Sequence, residues 1–402
     1  MFFTLDVRRA RKGDCLLLHY GSKTEPGLVL IDGGPSDVYK PHLKPRLAEI
    51  RKSRKLAANA TLPVDLLMVS HIDDDHIKGI LELTKELIET QGPAPLKISG
   101  LWHNTFDDII GNNPDKLRAA VTAQFGTASL AGEPEEVEGL DPDAAKVLAS
   151  VSQGFRLRDD SRALKLRINP QFKGKLVIAK KNSKQVDIGK GLKFTVIGPM
   201  NDEVLALQEA HDEFLEKQQT KKSEASLAAF TDKSVPNLSS LVVLAEVGKK
   251  RLLLTGDARG DKILEGLELI GALKKDGKSK FKVDILKCPH HGSNRNVDPI
   301  FFRRIPADHY VFSGNGQHGN PDRETLEMVL AERGDEKYTV HLTYPIDEID
   351  KERKAEAKKK GKSWSPKKQS LRALFDDNPK FAKKVVIVDE KKPHLINLLD
   401  KL

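Results

Sequence analysis

The segment "SHIDDDHIKG", residues 70–79, constrains this chain more than any other stretch. Two histidines and three aspartates lie within six positions, directly after the apolar run "VDLLMV", which predicts a buried strand. Neutral imidazole and carboxylate groups are ligands for Zn²⁺, Mn²⁺ and Fe²⁺. Acidic residues at a helix N-terminus would explain one or two of the aspartates through the helix dipole, but not the histidines on both sides. The segment therefore predicts a metal site, with candidate ligands His71, Asp73, Asp75 and His76.

Three further predicted strands also end in acidic or imidazole side chains. Asp32 follows "LVLI", Asp257 follows "RLLLTG", and His290 and His291 follow "DILKCP". One such residue alone is typical of an ordinary turn. Four strand ends of this kind in one chain favour a shared site. Asp257 can bridge two metal ions in such a site, because a carboxylate offers two oxygens.

Short apolar runs alternate with helical periodicity along most of the chain, which predicts a layered α/β fold. The runs "FFTLDV", "CLLLHY" and "LVLIDGG" predict a β-meander, and "KKVVIVDEKKPHLINL" predicts a closing hairpin. We expect a main domain over residues 1–346, with a polar insertion at about 105–190 and an exposed linker at about 216–236. Residues 347–402 are expected to hold a basic segment and the closing strands.

The composition bears on membrane insertion and on the redox compartment. In 402 residues, no apolar run approaches the roughly 18 residues that a membrane helix needs. The first residues, "MFFTLDVRRARKGD", lack the long apolar region of a signal peptide. The two cysteines, Cys15 and Cys288, are far apart in apolar contexts, which argues against a disulfide framework. We therefore expect a cytoplasmic globular protein.

Basic charge is concentrated near the end of the sequence. Residues 351–368, "KERKAEAKKKGKSWSPKK", carry nine Lys or Arg and two Glu, so they hold +7 of the net charge of +9. A charge run alone is typical of a solvated loop. The indole of Trp364 among the lysines favours nucleic-acid binding instead, since an indole can stack on a base while lysines neutralise phosphates. The candidate nucleic-acid-binding residues are Lys358, Lys359, Lys360, Lys362 and Trp364.

The stretch "HIDDDH" resembles the H-x-[HD]-x-D-H signature of the metallo-β-lactamase fold. The stretches "KGDCLLL", "LIDGG", "FTVIGP", "PNLSSLVVL", "LLLTGD" and "LKCPHHGS" are similar, in the same order, to motifs of the ComEC-type hydrolases of bacterial DNA uptake and their free-standing relatives. The resemblance covers most of the chain. It implies an αββα sandwich with a dinuclear metal site at one edge, between the two sheets.

The resemblance also implies a role for each matching residue. His71 and Asp73 would bind one metal ion, Asp75 and His76 would bind the other, and Asp257 would bridge them. Of these residues, Asp75, His76 and Asp257 are the candidate catalytic group.

Other implied roles are less completely fixed by the sequence. One of His290 and His291 would complete a metal site, and the sequence leaves open which one. Asp32 would orient a ligand or its loop. Asp73 stands where many family members have histidine, and a carboxylate there favours Mn²⁺ over Zn²⁺.

Several positions depart from the family pattern or have no fixed role. His103, in "LWHNT", is a candidate ligand, a substrate contact or a histidine without a functional role. Asn237 stands at the family's usual asparagine near the site. Ser293 and His318 are candidate supporting or substrate-contacting residues, and Asn320 stands where relatives often have histidine.

The resemblance implies a hydrolase that uses water activated by two divalent ions, Mn²⁺ or Zn²⁺. A phosphodiesterase or nuclease acting on DNA or another nucleic acid agrees best with the motifs and the basic segment. Two alternatives remain open: a hydrolase of a small ester, lactone or thioester, and a metal-binding component without turnover. The last would belong to a multi-protein system, such as an antiviral defence system with an ATPase partner. The sequence has no G-x-S-x-G elbow and no Walker-type glycine loop, which disfavours serine catalysis and ATP binding by a P-loop.

Overall fold

The computed structural model describes residues 1–57, 59–104, 142–205 and 239–402 of the chain. Over these ranges the chain is a mixed α/β protein with a six-stranded sheet, an eight-stranded sheet and a separate pair of strands. Within them, no helix is both long and apolar enough to cross a membrane. The predicted linker at 216–236 and positions 105–141 of the predicted insertion lie outside the described residues.

The six-stranded sheet combines a meander with two parallel strands. Its first three strands along the chain are antiparallel neighbours, which confirms the predicted meander. The next two strands run parallel to the third, and the last strand of the chain pairs with the first. In sheet order the strands are β16 (His394–Asn397), β1 (Phe2–Val7), β2 (Leu16–Gly21), β3 (Pro26–Ile31), β5 (Leu66–Met68) and β7 (Leu101–Trp102).

The eight-stranded sheet changes from parallel to antiparallel across its width. The five strands latest in the chain are parallel neighbours, and the three earliest are antiparallel. In sheet order the strands are β15 (Val385–Ile387), β14 (Thr339–Leu342), β13 (Ala307–Phe312), β12 (Val283–Lys287), β11 (Lys250–Leu254), β10 (Val242–Val247), β9 (Leu192–Gly198) and β8 (Val186–Gly189). The separate pair consists of β4 (Leu62–Val64) and β6 (Leu96–Ile98).

Helices connect and cover the strands. The first helix follows β3, the last strand of the meander, and the second helix follows β5, as the helical periodicity predicts. The α-helices are α1 (Lys44–Ser53), α2 (Asp74–Glu89), α3 (Pro142–Ala163), α4 (Gly260–Leu269), α5 (Pro299–Arg304), α6 (Arg323–Arg333), α7 (Ile346–Lys359), α8 (Pro366–Gln369), α9 (Leu371–Asp377) and α10 (Pro379–Ala382). Tighter or wider turns occupy Tyr39–Leu43, Pro170–Phe172, Pro289–Gly292 and Gln317–Gly319.

Alternating side chains place the two large sheets face to face. In β2, Leu16 packs in an apolar cluster with Phe194 of β9, in the other sheet. The next residue, Leu17, points to the opposite side of the strand and packs in a second cluster with Ile80 of α2. A third cluster joins the outer face of the eight-stranded sheet to α4, α5 and α6. The described chain therefore has four layers, with helices outside and two sheets between them.

This topology brings the predicted site residues to one edge of the sheets. Strands β3 and β5 are parallel, as are β11, β12 and β13, so the carboxyl ends within each set lie at a common edge. Asp32 directly follows β3, and His71 lies just beyond β5. In the other sheet, Asp257 lies beyond β11 and His290 beyond β12.

The strands at the end of the chain pair differently from the expectation. The predicted closing hairpin is wrong, because β15 pairs with β14 while β16 pairs with β1 in the other sheet. An apolar run predicts a strand but does not specify its partner. In the basic segment, residues 351–359 belong to α7 and residues 366–368 to α8, so most of the segment is helical.

Candidate metal centre

A serine and an aspartate orient two of the histidines. The Ser70 hydroxyl donates to Asp32 Oδ2 at 2.7 Å, so it can only accept from His71 Nδ1, which lies 3.0 Å away. The proton of His71 is thereby placed on Nδ1, and the buried Nε2 has no hydrogen-bond partner among the described residues. His76 Nδ1 lies 2.8 Å from Asp32 Oδ2, which fixes its orientation in the same way. Both rings therefore present Nε2 as the ligand atom.

Asp257 lies at the centre of the cluster. Its Oδ1 is 3.2 Å from His76 Nε2 and 3.3 Å from His291 Nε2, and its Oδ2 is 3.8 Å from His71 Nε2. The Nε2 atoms of His76 and His291 lie 3.3 Å apart. Because the two oxygens of one carboxylate face different imidazoles, Asp257 has the position that a bridging ligand requires.

Two overlapping sets of buried or half-buried side chains are arranged to hold a metal ion. Within each set, the ligand atoms all lie within 4.8 Å of one another. Asp73 lies beside one set, with Oδ2 at 4.0 Å from His71 Nε2. The unpartnered Nε2 of His71 and this mixture of imidazole and carboxylate fit a divalent metal ion. The sets are His71, Asp75 and His76, and Asp14, His76, Asp257 and His291.

The charges of the cluster also favour a cation. Burial alone would raise the pKa of Asp257, but His291, His290 and His76 outweigh burial and hold it well below its usual range. Burial lowers the pKa of His76, yet Asp257 and Asp32 hold it well above its usual value. Burial also lowers the pKa of His291, but Asp257 and Asp14 outweigh burial and raise it to about 9. His76 and His291 thus favour the protonated form in the absence of metal, whereas burial lowers the pKa of His71, and a divalent cation would displace the two protons.

Glycines allow the loops around the cluster to meet backbone to backbone. A Cβ on Gly33 would lie 2.5 Å from the backbone nitrogen of Ile80, and a Cβ on Gly79 would lie 1.9 Å from the Gly33 oxygen. A Cβ on Gly13 would lie 1.7 Å from the Asp75 oxygen. These contacts hold the loops before β2 and after β3 against the start of α2, whose first turn carries Asp75 and His76.

The histidine pair separates into one buried and one partly exposed side chain. Both residues have positive φ, 46° for His290 and 55° for His291, which is uncommon for residues other than glycine. The His291 side chain is 2% exposed and belongs to the buried set. The His290 side chain is 29% exposed, with Nε2 at 3.5 Å from Asp257 Oδ2. His291 therefore lies among the candidate ligands, and His290 lies at their border with solvent.

Asp14 and Lys287 lie behind the histidines, and the sequence did not indicate a site role for either. Lys287 is almost fully buried, forms an ion pair with Asp14 and lies 4.0 Å from Asp257 Oδ1. Asp14 Oδ1 accepts a hydrogen bond from Ser313 and lies 3.4 Å from His291 Nδ1. Burial disfavours the charge on Asp14, but Lys287 and His291 outweigh it and hold its pKa well below its usual range. For Lys287 the sequence signal is a lysine inside the apolar run "VDILKC", since lysine is rarely buried without a partner, and Asp14 lies in the family-like stretch "KGDCLLL".

The remaining predicted residues are more widely spread. Ser293 is buried and lines the cleft above the cluster. His318 also lines it, with Nε2 at 3.3 Å from Lys12 Nζ. His103 is buried and belongs to neither set, and burial lowers its pKa to about 4. Asn237 lies outside the described residues.

A cleft of about 890 Å³ opens above the cluster. Its floor includes Asp75, Asp257 and His291. Its wall includes one face of α7 and the turn that follows, so acidic and basic groups line the same cleft. The wall residues from this part of the chain are Arg353, Glu356, Ala357, Lys360, Lys362 and Trp364.

The predicted nucleic-acid-binding residues divide between this cleft and a second cavity of about 560 Å³. Lys360 lines the cleft and Lys358 lines the second cavity. Lys362 and Trp364 line both. Lys359 is exposed and is not among the lining residues of either.

No protein-family model matches the chain. Microtubule-associated protein 1A from Rattus norvegicus and its counterpart from Mus musculus are each 43% identical to this chain over 49 residues. The match covers 12% of this chain, and the chain spans about 2% of the length of those relatives. So short a match shows no family and transfers no activity, so the function has to be argued from the site itself.

Proposed function

We propose that the chain is a metal-dependent phosphodiesterase that hydrolyses nucleic acid and has a metallo-β-lactamase-like αββα sandwich. The observation that carries the proposal is the cleft, because its floor is a buried cluster of metal-binding residues and its wall includes Arg353, Lys360 and Lys362 of the basic segment. A phosphodiester needs both a site that activates water and cations that bind its phosphates. The order of the four layers and the "HIDDDH" turn at the end of β5 support the fold assignment.

The proposed cofactor is a pair of divalent ions, Mn²⁺ or Zn²⁺. Such ions, when bound, lower the pKa of a coordinated water and stabilise charge that develops on a substrate oxygen. Three aspartates and three histidines make a donor set rich in carboxylate, which favours Mn²⁺. The proposed ligands are His71, Asp73, Asp75, His76, Asp257 and His291, with His290 at the open side.

The chain's other residues prepare this site for a phosphodiester. Asp32 and Asp14 hold the Nδ1 sides of His76 and His291, so that both Nε2 atoms point inward. The scissile phosphate would lie at the floor of the cleft, over Asp257. From there the flanking phosphates reach Lys360 in the wall, just past the end of α7, whose partner Glu356 lies at 3.8 Å in the last turn of that helix.

The test is a substrate panel with Mn²⁺ present. Labelled single-stranded DNA, duplex DNA, RNA and a cyclic dinucleotide would be incubated with the protein, beside a chromogenic ester and a lactone. We expect cleavage of at least one nucleic acid and loss of that cleavage in Asp257→Asn. Cleavage of the ester or lactone alone would contradict the proposal in favour of a small-substrate hydrolase. No turnover of any substrate by metal-loaded protein would favour a binding component.

A further inference from the structure

The second cavity lies beside the metal cleft, and the same helix forms one side of both. Residues Lys351, Lys354 and Lys358 of α7 are spaced by three and four positions, so they lie on one face of the helix. This face lines the cavity of about 560 Å³. Arg353 and Lys360 lie on the neighbouring face and line the metal cleft.

Trp364 stands between the two spaces, since it lines both of them. Its position is set by Arg353, whose guanidinium carbon lies 5.6 Å from the centre of the indole ring. Arg353 is itself buried and fixed, because it donates to the backbone oxygens of Gly319 at 3.0 Å and Gln369 at 2.6 Å. The indole therefore lies beside a buried, hydrogen-bonded arginine, while its half-buried ring lines both cavities.

The charge of the second cavity differs from that of the cleft. Four of its seven lining residues are lysines and none is acidic. The cleft, in contrast, contains several aspartates at its floor. A cavity of this size is within the usual range for small-molecule and cofactor sites, roughly 300–1,000 Å³. Lysines around one aromatic ring are the combination that binds a nucleotide, with the phosphate on the ammonium groups and the base on the ring.

We infer that this cavity is a subsite for an unpaired nucleotide next to the scissile phosphate, so that the substrate is single-stranded. This inference rests on the proposed function and names its substrate class. In a duplex both faces of a base are covered by its neighbours, so Trp364 can reach a base face only when the strand is unpaired and unstacked. The strand passes from the metal cleft over Trp364 into the cavity, where Lys351, Lys354 and Lys358 bind the next phosphates.

The inference is tested by binding without hydrolysis, on the full chain in EDTA. Trp364 and Trp102 are the two tryptophans, and Trp102 is fully buried, so quenching of fluorescence by a ligand reports on Trp364. We expect an oligothymidylate to quench this fluorescence, and heparin, which has no bases, to leave it nearly unchanged. By anisotropy of a labelled oligothymidylate, Trp364→Ala should weaken binding about tenfold, while binding of a hairpin duplex changes less than about twofold.

The lysines supply a matched pair of variants on one helix. Lys358→Gln should weaken binding of the oligothymidylate and reduce its dependence on salt, because Lys358 lines the cavity. The sequence suggested Lys359 as a binding residue too, but it lines neither the cavity nor the cleft, so Lys359→Gln removes the same charge outside the subsite. This variant should leave the affinity and its salt dependence nearly unchanged. Equal effects of the two variants would show that only general charge matters, and would overturn the subsite.

Two further outcomes separate this inference from the proposed function. If the protein cleaves nucleic acid but Trp364→Ala binds single strands as the parent does, the subsite is wrong and the proposed function stands. If single strands bind through Trp364 but no nucleic acid is cleaved, the subsite stands and the phosphodiesterase proposal fails. Displacement of the oligothymidylate by polyglutamate as effectively as by unlabelled oligonucleotide would overturn the subsite in favour of an acidic-peptide surface.

Discussion

Lys287 and Asp14 form an ion pair in which the side chains are only 1% and 2% exposed. The pair lies directly behind the candidate metal centre, since Asp14 Oδ1 is 3.4 Å from His291 Nδ1 and Lys287 Nζ is 4.0 Å from Asp257 Oδ1. Lys287 thus supplies a positive charge among carboxylates that would otherwise repel one another. Asp14 in turn sets the orientation of His291. The pair connects the end of β12 to the loop before β2, and so joins the two sheets at the site.

Removing this lysine should weaken metal binding as well as the fold. In Lys287→Met, Asp14 would remain buried without its cation, which costs about 3–5 kcal/mol in other proteins. We expect a lower free energy of unfolding in urea, and a metal affinity reduced by roughly 10- to 100-fold, because Asp14, which orients His291, loses the cation that holds it in place. Lys287→Arg keeps the charge and should restore part of the stability and part of the metal affinity. Unchanged metal affinity in a folded Lys287→Met protein would show that the pair is only structural.

The metal content of the purified protein tests the proposed cofactor. Protein loaded with Mn²⁺ and then desalted should contain close to two ions per chain by elemental analysis, as the proposed ligand set requires. Asp75→Ala and Asp257→Ala should each lower that number, because Asp75 belongs to one buried set and Asp257 to the other. Asp187→Ala, which removes an exposed aspartate in β8, is the control and should bind as the parent does. Protein that takes up neither Mn²⁺ nor Zn²⁺ would remove the mechanism.

Comparison of Asp257 with His103 tests the assignment of roles. Asp257→Asn keeps the size of the side chain but removes its charge, so hydrolysis should fall by more than the roughly 10- to 100-fold loss seen for residues that support a ligand. His103→Gln should reduce hydrolysis less than about tenfold, because His103 lies outside both sets of candidate ligands. Initial rates and circular dichroism would be measured together. A complete loss in folded His103→Gln, with metal content lowered, would make His103 a ligand.

A row of three histidines away from the metal centre should make stability depend on pH. His341 Nε2 lies 3.0 Å from His309 Nδ1, and His341 Nδ1 lies 2.9 Å from His394 Nε2, so the row joins β13 and β14 to β16. Burial, together with His394 and His309, lowers the pKa of His341 to about 2. The unfolded chain therefore takes up a proton near pH 6.5 while the folded chain does not.

The stability attributable to His341 is thus complete above about pH 6.5 and decreases as the pH falls towards the folded pKa. The slope for one such group is about 1.4 kcal/mol per pH unit. Urea unfolding in EDTA between pH 7 and pH 4 should show a steeper loss for the parent than for His341→Leu, which lacks the group. Parallel profiles for the two proteins would contradict the assigned role of the row.

Much of the site could be predicted from local sequence. The "HIDDDH" turn, Asp32, Asp257 and the histidine pair all follow short apolar runs, and a buried strand is recognisable from its own residues. The structure brings these turns together because parallel strands expose their carboxyl ends at one edge. The meander was predictable for a similar reason, since antiparallel neighbours in sequence are joined by short turns.

Only the tertiary structure decided which residues from distant parts of the chain share the site. Asp14 and Lys287 are 273 positions apart, and neither pattern on its own indicates an ion pair. The closing strands separate into two sheets, and the basic segment 351–368 lines the metal cleft, for the same reason. The spacing of apolar residues in a strand, or of charged residues in a helix, indicates which side of the element is apolar or polar. It does not indicate which other element lies against that side. That choice depends on how all the apolar faces pack together at once, which no single segment contains.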